Sequence, residues 1–193
     1  MLIVAMTVSV FFVACAQREM LVPRDGVVPI GVDFSGHWQV QSDERGDRRK
    51  IREAIRRTDG IKDEDLFRSV NPDGQSRSSR VKGGLVFVFL ETGVSLRVTQ
   101  NEHGMFISFD RSVVEEYRFG ENRVISVGDV DAQRVTGWEG QQLIVETLDR
   151  NSMKMTERFK LLQSGRVLER SITFRSREGE EEKVVQRYHR LDT

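Results

Sequence analysis

The 193-residue chain has a single cysteine, three prolines and no net formal charge, because its 30 Lys and Arg are matched by 30 Asp and Glu. One cysteine excludes an internal disulfide, so the cellular compartment has to be read from another feature. A zero balance excludes a long-range field that would steer the whole molecule onto nucleic acid or an anionic surface. Aromatics make up only 8% of the chain and are not interleaved with basic residues as in an RNA-binding sheet, so no nucleic-acid partner is expected. The three histidines, His37, His103 and His189, stand apart, and none lies at a ligand spacing such as His-Glu-x-x-His. Gly-x-Ser-x-Gly, Walker and Gly-x-Gly-x-x-Gly motifs are missing as well. The chain is therefore read as a non-enzyme with no metal and no cofactor. The acidic runs Asp63–Asp65 and Glu180–Glu182 read as solvated loops, the second joining the last two strands and guarding a turn against aggregation.

Long hydrophobic runs are absent with one exception. Residues Met1 to Ala14 carry no charge and are nearly all apolar, and the first charge, Arg18, follows Cys15. Such a run falls short of the roughly 20 residues a spanning helix needs, and it has the length of a signal-peptide core. Residues 1–14 are accordingly read as an export signal. Residues 15–32, which hold two of the three prolines and show no periodicity, read as a flexible tether. One domain, 33–193, follows.

Charged residues form 31% of the chain against roughly 25% in an average globular protein, and only 38% are apolar. This balance suits a thin, well-solvated β structure. A first strand is expected from Ser35 to Gln41, with Trp38 and Val40 on one face. Arg45 to Arg57 then predicts a short amphipathic helix with Asp47 as N-cap and Ile51, Ala54 and Ile55 at helical spacing. Its basic side chains fit either an anionic surface or a solvated helix face neutralised by Asp59, Asp63, Glu64 and Asp65. The solvated face is the reading favoured. Residues 71–83 read as a loop.

From Gly84 onward, β-runs alternate with turn signals. Leu85–Leu90 is a continuous apolar run, and Val94, Leu96 and Val98 alternate with Ser95, Arg97 and Thr99. Further runs lead to Val184–Leu191, at roughly 8–12-residue spacing, which predicts an antiparallel meander, closed or partly open. The row Met153, Met155, Phe159 and Leu161 reads as core filling.

Two stretches carry resemblances. Phe12-Val13-Ala14-Cys15 resembles a bacterial lipobox, which implies cleavage before Cys15 and acylation of that residue. Acyl chains anchor through buried methylenes at about 0.8 kcal/mol each. Ala16 after the cysteine then implies an outer-membrane protein facing the periplasm. Asp33-Phe34-Ser35-Gly36-His37-Trp38 looks like the Gly-x-Trp entry of lipocalins and fatty-acid-binding proteins. Together with Gly137-Trp138-Glu139-Gly140, Gln142–Thr147, Thr156–Phe159 and Tyr188-His189-Arg190, it resembles a set of uncharacterised bacterial lipocalin-like lipoproteins. That resemblance implies a mainly β, lipocalin-like barrel in which Gly36 and Trp38 close one end under a basic residue, Arg187 or Arg190.

The chain is thus expected to be an envelope lipoprotein whose bilayer partner is reached through Cys15. Its barrel either binds a small apolar or lipid ligand or serves as an interaction protein without a pocket. Ligand binding predicts an apolar cavity above ~300 Å³ facing Phe87, Phe89, Met153 and Phe159. A filled core predicts interaction.

Overall fold

A computed structural model describes residues 19–41, 44–59 and 86–191. The signal, Cys15, Asp63–Asp65 and the 71–83 loop lie outside the described residues. The elements are β1 (Gly36–Val40), α1 (Glu44–Asp59), a 3-10 helix (Val86–Phe89), β2 (Ser95–Gln100), β3 (Gly104–Phe109), β4 (Val113–Arg118), β5 (Asn122–Val127), β6 (Val130–Glu139), β7 (Gln142–Asp149), β8 (Lys154–Leu162), β9 (Val167–Arg175) and β10 (Glu181–Arg190). They form one antiparallel sheet in the order β4-β3-β2-β1-β10-β9-β8-β7-β6-β5. Chain neighbours therefore pair throughout, with two departures. β1 pairs with β10 and curls the sheet shut, while β4 and β5 share no ladder and leave it open along one seam. The result is a partly open, mainly antiparallel β barrel with one helix after the first strand, the meander that the strand rhythm predicts.

Alternation in the sequence becomes alternation across the wall. Leu96 and Val98 are buried, while Arg97 and Thr99 between them are exposed. The inward rows build two apolar clusters. The lower one, at the end where β1 enters, contains Phe34, Trp38, Ile107, Trp138, Leu143, Phe159 and Leu168. The upper one contains Met155, Ile172, Phe174 and Val184 together with Ile51, Ala54 and Ile55 of α1 and Val86 and Phe89 of the 3-10 helix. The helix thus covers the upper mouth on the apolar face predicted for it, packing on β9 and β10.

Three expectations need correction. Of the run Leu85–Leu90, the described residues Val86–Leu90 do not form a strand. Both ladders of β2 are taken by β1 and β3, and a 3-10 helix sets Val86 and Phe89 on one side, where both are buried under the mouth. Asp47 is not the helix N-cap, since α1 begins at Glu44 and Asp47 lies buried within it.

The packed domain also does not begin at Asp33. From Glu19 the chain is a strap across the outer face of the sheet. Leu21 packs on Val135 and Leu148, and its N–H donates to Gln133 Oε1 at 3.0 Å. Arg24 pairs with Glu146 at 2.9 Å, and the Trp138 N–H donates to the Asp25 carbonyl at 2.8 Å. Gly137 permits this crossing, because a Cβ there would lie 2.4 Å from the Asp25 carbonyl oxygen.

The lower end is closed by Trp38, fully buried, with its indole N–H donating to the Phe34 carbonyl at 3.0 Å. Arg190, opposite it in the β1–β10 register, lies 4.3 Å over the ring. Arg187 does not take part, because its alternate position points it to the outer face, where it pairs with Glu169 at 2.8 Å. Replacing Trp38 by Ala is expected to cost about 3–5 kcal/mol, the range for a buried large aromatic. Denaturant unfolding checks this, and a loss below ~1 kcal/mol would show that Trp38 does not close the barrel.

Candidate functional site

The candidate site is the interior of the barrel, where strand after strand places a polar residue between the two apolar clusters. On β8, Glu157 stands between Met155 and Phe159. On β9, Arg170 stands between Leu168 and Ile172, and on β10 Gln186 stands between Val184 and Tyr188. Arg134 on β6, Thr147 on β7 and Glu115 on β4 complete the layer, since Arg134 meets Glu115 at 2.9 Å and its Nε–H donates to Thr147 Oγ1 at 3.3 Å.

Its centre is the Arg170–Glu157 pair, with side chains 0% and 1% exposed. Arg170 donates from Nε to Glu157 Oε2 at 2.8 Å and through Nη2 to the same oxygen, while Nη1 donates to the Glu91 carbonyl at 2.8 Å. Its guanidinium also lies over Phe109 and Phe159, at 5.2 and 5.5 Å from the ring centroids. Arg134 lies 5.6 Å over Tyr117 and 6.0 Å over Phe89. Burial works against the Arg170 charge, but the adjacent Glu157 outweighs it and holds the guanidinium firmly protonated. Burial pushes the Tyr188 hydroxyl up to about 12 and Tyr117 higher still. The Glu91 carboxyl is raised by burial first and then by Glu115.

This arrangement leaves little room. Among the described residues, the four expected ligand-facing residues are divided between the two clusters. Phe159 belongs to the lower cluster, Phe89 and Met153 belong to the upper one with Phe87 at its margin, and the charged layer stands between them. Phe87 instead meets Phe174 edge-on at 5.4 Å. A void of about 10 Å³ touches Gln186 and Val40 near the mouth, the size of one water. An open cleft of about 430 Å³ lies outside the barrel at its lower end, lined by Gly26, His103, Phe106, Glu116 and Phe119 among others. Two buried acceptors of the layer, Glu157 Oε1 and Gln186 Oε1, have no protein donor. Among the described residues no three His, Cys, Asp or Glu side chains are placed to hold a metal ion. His37 and His189 both lie on the outward register of β1 and β10, where His189 faces Gln39.

The sequence reading missed Glu157, Arg170, Arg134, Glu115 and Gln186. The signal was there: counting by twos from Met155, Leu168 or Val184 places each of the first, second and last on the inner face.

No protein-family model and no curated protein matches the sequence. Among solved structures, the chain is similar to secretory abundant heat soluble protein 4 from Ramazzottius varieornatus, at 18% identity and TM-score 0.48, covering 82% of this chain and 95% of that one. It is similar to the REP1-NXSQ fatty acid transporter at 12% identity and TM-score 0.49, covering 83% and 98%. A luciferase domain from the dinoflagellate Lingulodinium polyedrum has 14% identity and TM-score 0.48, covering 88% and 45%. Likeness at this level does not bear on what this chain binds.

Removing one partner of a buried ion pair strands the other charge, whereas replacing both by apolar groups is nearly neutral or stabilising. Arg170→Met is therefore expected to cost about 3–5 kcal/mol. Arg170→Met combined with Glu157→Leu should regain most of that loss. Unfolding midpoints of the two variants check this, and a double variant as unstable as the single one would contradict the assignment.

Proposed function

We propose that the protein is a non-enzymatic bacterial lipoprotein held at the cell envelope by acyl chains on Cys15, whose barrel acts through its outer surface rather than by enclosing a ligand. The observation that carries the second half is the filled interior. Aromatic and aliphatic side chains occupy both ends, and the paired charges of Arg170–Glu157 and Arg134–Glu115 occupy the middle. A drug-sized ligand site needs roughly 300–1,000 Å³ of largely apolar space, and opening one here would mean parting charges that already satisfy one another. The anchor rests on Phe12-Val13-Ala14-Cys15 after a short uncharged run, and Ala16 favours the outer membrane, facing the periplasm.

One observation favours a second reading, in which a small apolar or lipid ligand enters through the wall. The β4–β5 seam has no ladder and is spanned by side chains, with Arg123 Nη2 donating to the Glu116 carbonyl at 3.0 Å and Arg134 meeting Glu115. Parting two arginines would open a path to the two clusters.

Mass spectrometry of the protein purified from envelopes separates these readings. The expected result is an acylated N-terminal Cys15 peptide, lost in Cys15→Ser, and no other lipid in stoichiometric amount. A stoichiometric extractable ligand would overturn the surface reading. An unmodified Cys15 with normal cleavage and membrane retention of Cys15→Ser would overturn the anchor.

A further inference from the structure

We propose that α1 is a membrane-contact element, its outward basic stripe resting on the anionic phospholipid headgroups of the leaflet in which Cys15 is anchored. This rests on the reading of Cys15 as the acylated residue. Two observations carry it: where the strap is fixed to the barrel, and what charge stands at that place.

Read as a tether, the 18 residues from Cys15 to Val32 would span up to roughly 60 Å and leave the barrel free to tumble. The strap removes most of that reach. Glu19 is already fixed to the barrel, meeting Lys154 at 3.2 Å and also pairing with Arg175. Burial alone would raise its carboxyl, but hydrogen bonds from Arg175 and Lys154 outweigh this and hold it below the usual range. Cys15 lies four residues earlier, which allows about 14 Å at full extension. Lys154 opens β8 and Arg175 closes β9, so the anchor leaves the barrel at its upper end, the end that α1 covers. The helix lies close by: Arg57 pairs with Glu182 at 3.6 Å, and Glu182 stands next to Glu181, the register partner of Arg175.

The charge at that end fits an anionic surface. With Ile51, Ala54 and Ile55 turned into the barrel, Arg49, Arg52 and Arg56 fall on the opposite side and are exposed. Arg49, Arg52 and Arg56 have no carboxylate partner among the described residues, whereas Lys50 pairs with Asp47 and Arg57 with Glu53. The same end also carries Glu178 and Glu180 in the β9–β10 turn and Glu181 and Glu182 at the start of β10, which confines the contact to the helix stripe rather than the whole rim. The side chains of Asp59, Asp63, Glu64 and Asp65, expected from sequence to neutralise the helix, lie outside the described residues. A short anchor supplies the proximity that a zero net charge cannot.

The test uses the full-length acylated protein in nanodiscs of phosphatidylcholine, alone or with phosphatidylglycerol, carrying a nitroxide at K50C on α1 or at R166C at the far end. A paramagnetic headgroup reports distance, and the mass of the Cys15 peptide is measured on the same sample. The expected result is strong headgroup contact at K50C but not at R166C, only in anionic discs. It should fall several-fold at raised salt and in Arg49→Glu/Arg52→Glu/Arg56→Glu, with the protein still on the disc. The salt arm keeps the test valid if that triple variant folds poorly. A K50C label as remote as R166C, on a chain whose Cys15 is acylated, overturns the helix contact and leaves the anchor standing. A chain without acyl mass on Cys15 overturns the anchor and the contact with it.

Discussion

The pairing of β1 with β10 is the contact on which the rest of the barrel depends. Every other ladder joins strands that follow one another, and all of these except β1–β2 close a short loop at small entropic cost. This one joins a five-residue strand to the last strand of the chain. Arg190 fastens it. Its guanidinium covers the Trp38 ring and donates to the carbonyls of Ser35, Gly165 and Asp33, drawing the entry to β1, the β8–β9 turn and the final strand to one point. Gly36 is required beneath it, because its φ of +140° disfavours other residues and a Cβ would lie 2.8 Å from Arg190 Nη1.

Once the sheet is curled by that contact, its inner rows face one another across a narrow space, and what fills them decides what the barrel is for. A wholly apolar inner row would pack in several registers, since only side-chain volume distinguishes one from another. The inward charges remove that freedom. A one-residue slip of β9 would turn Arg170 out and leave Glu157 alone inside, at the cost that attends an unpaired buried charge. Among the described residues the same layer stands between the two apolar clusters, which is why the proposed function is placed on the outer surfaces, α1 included.

Much of the fold was legible because strand periodicity and turn residues act locally. Leu96-x-Val98 alternates, Gly140 and Gly165 punctuate, and Ile51, Ala54 and Ile55 keep helical spacing whatever lies elsewhere. The misreadings are of positions whose state is set by distant partners. Val86–Phe89 has the composition of a strand, but no free ladder on β2 awaits it. The segment from Glu19 to Val32 lacks periodicity because its order comes from the sheet it crosses, through Gln133, Glu146 and the space at Gly137. Arg187 and Arg190 are both basic and near the end of the chain, and only register tells which one faces Trp38. The charged layer was hidden differently. Glu157 and Arg170 sit in sequence among outward charges such as Arg158 and Glu169, and a buried ion pair is recognised only when both partners are seen to face inward.

The central claim is that this interior is filled by the protein's own side chains. A high-resolution crystal structure of the protein extracted from membranes, rather than refolded, tests it most directly. Side-chain density is expected to meet side-chain density among Phe109, Phe159, Arg170 and Tyr188, with at most single waters beside Glu157 Oε1 and Gln186 Oε1. Continuous elongated density running between the two apolar clusters, with Arg170 parted from Glu157, would contradict it.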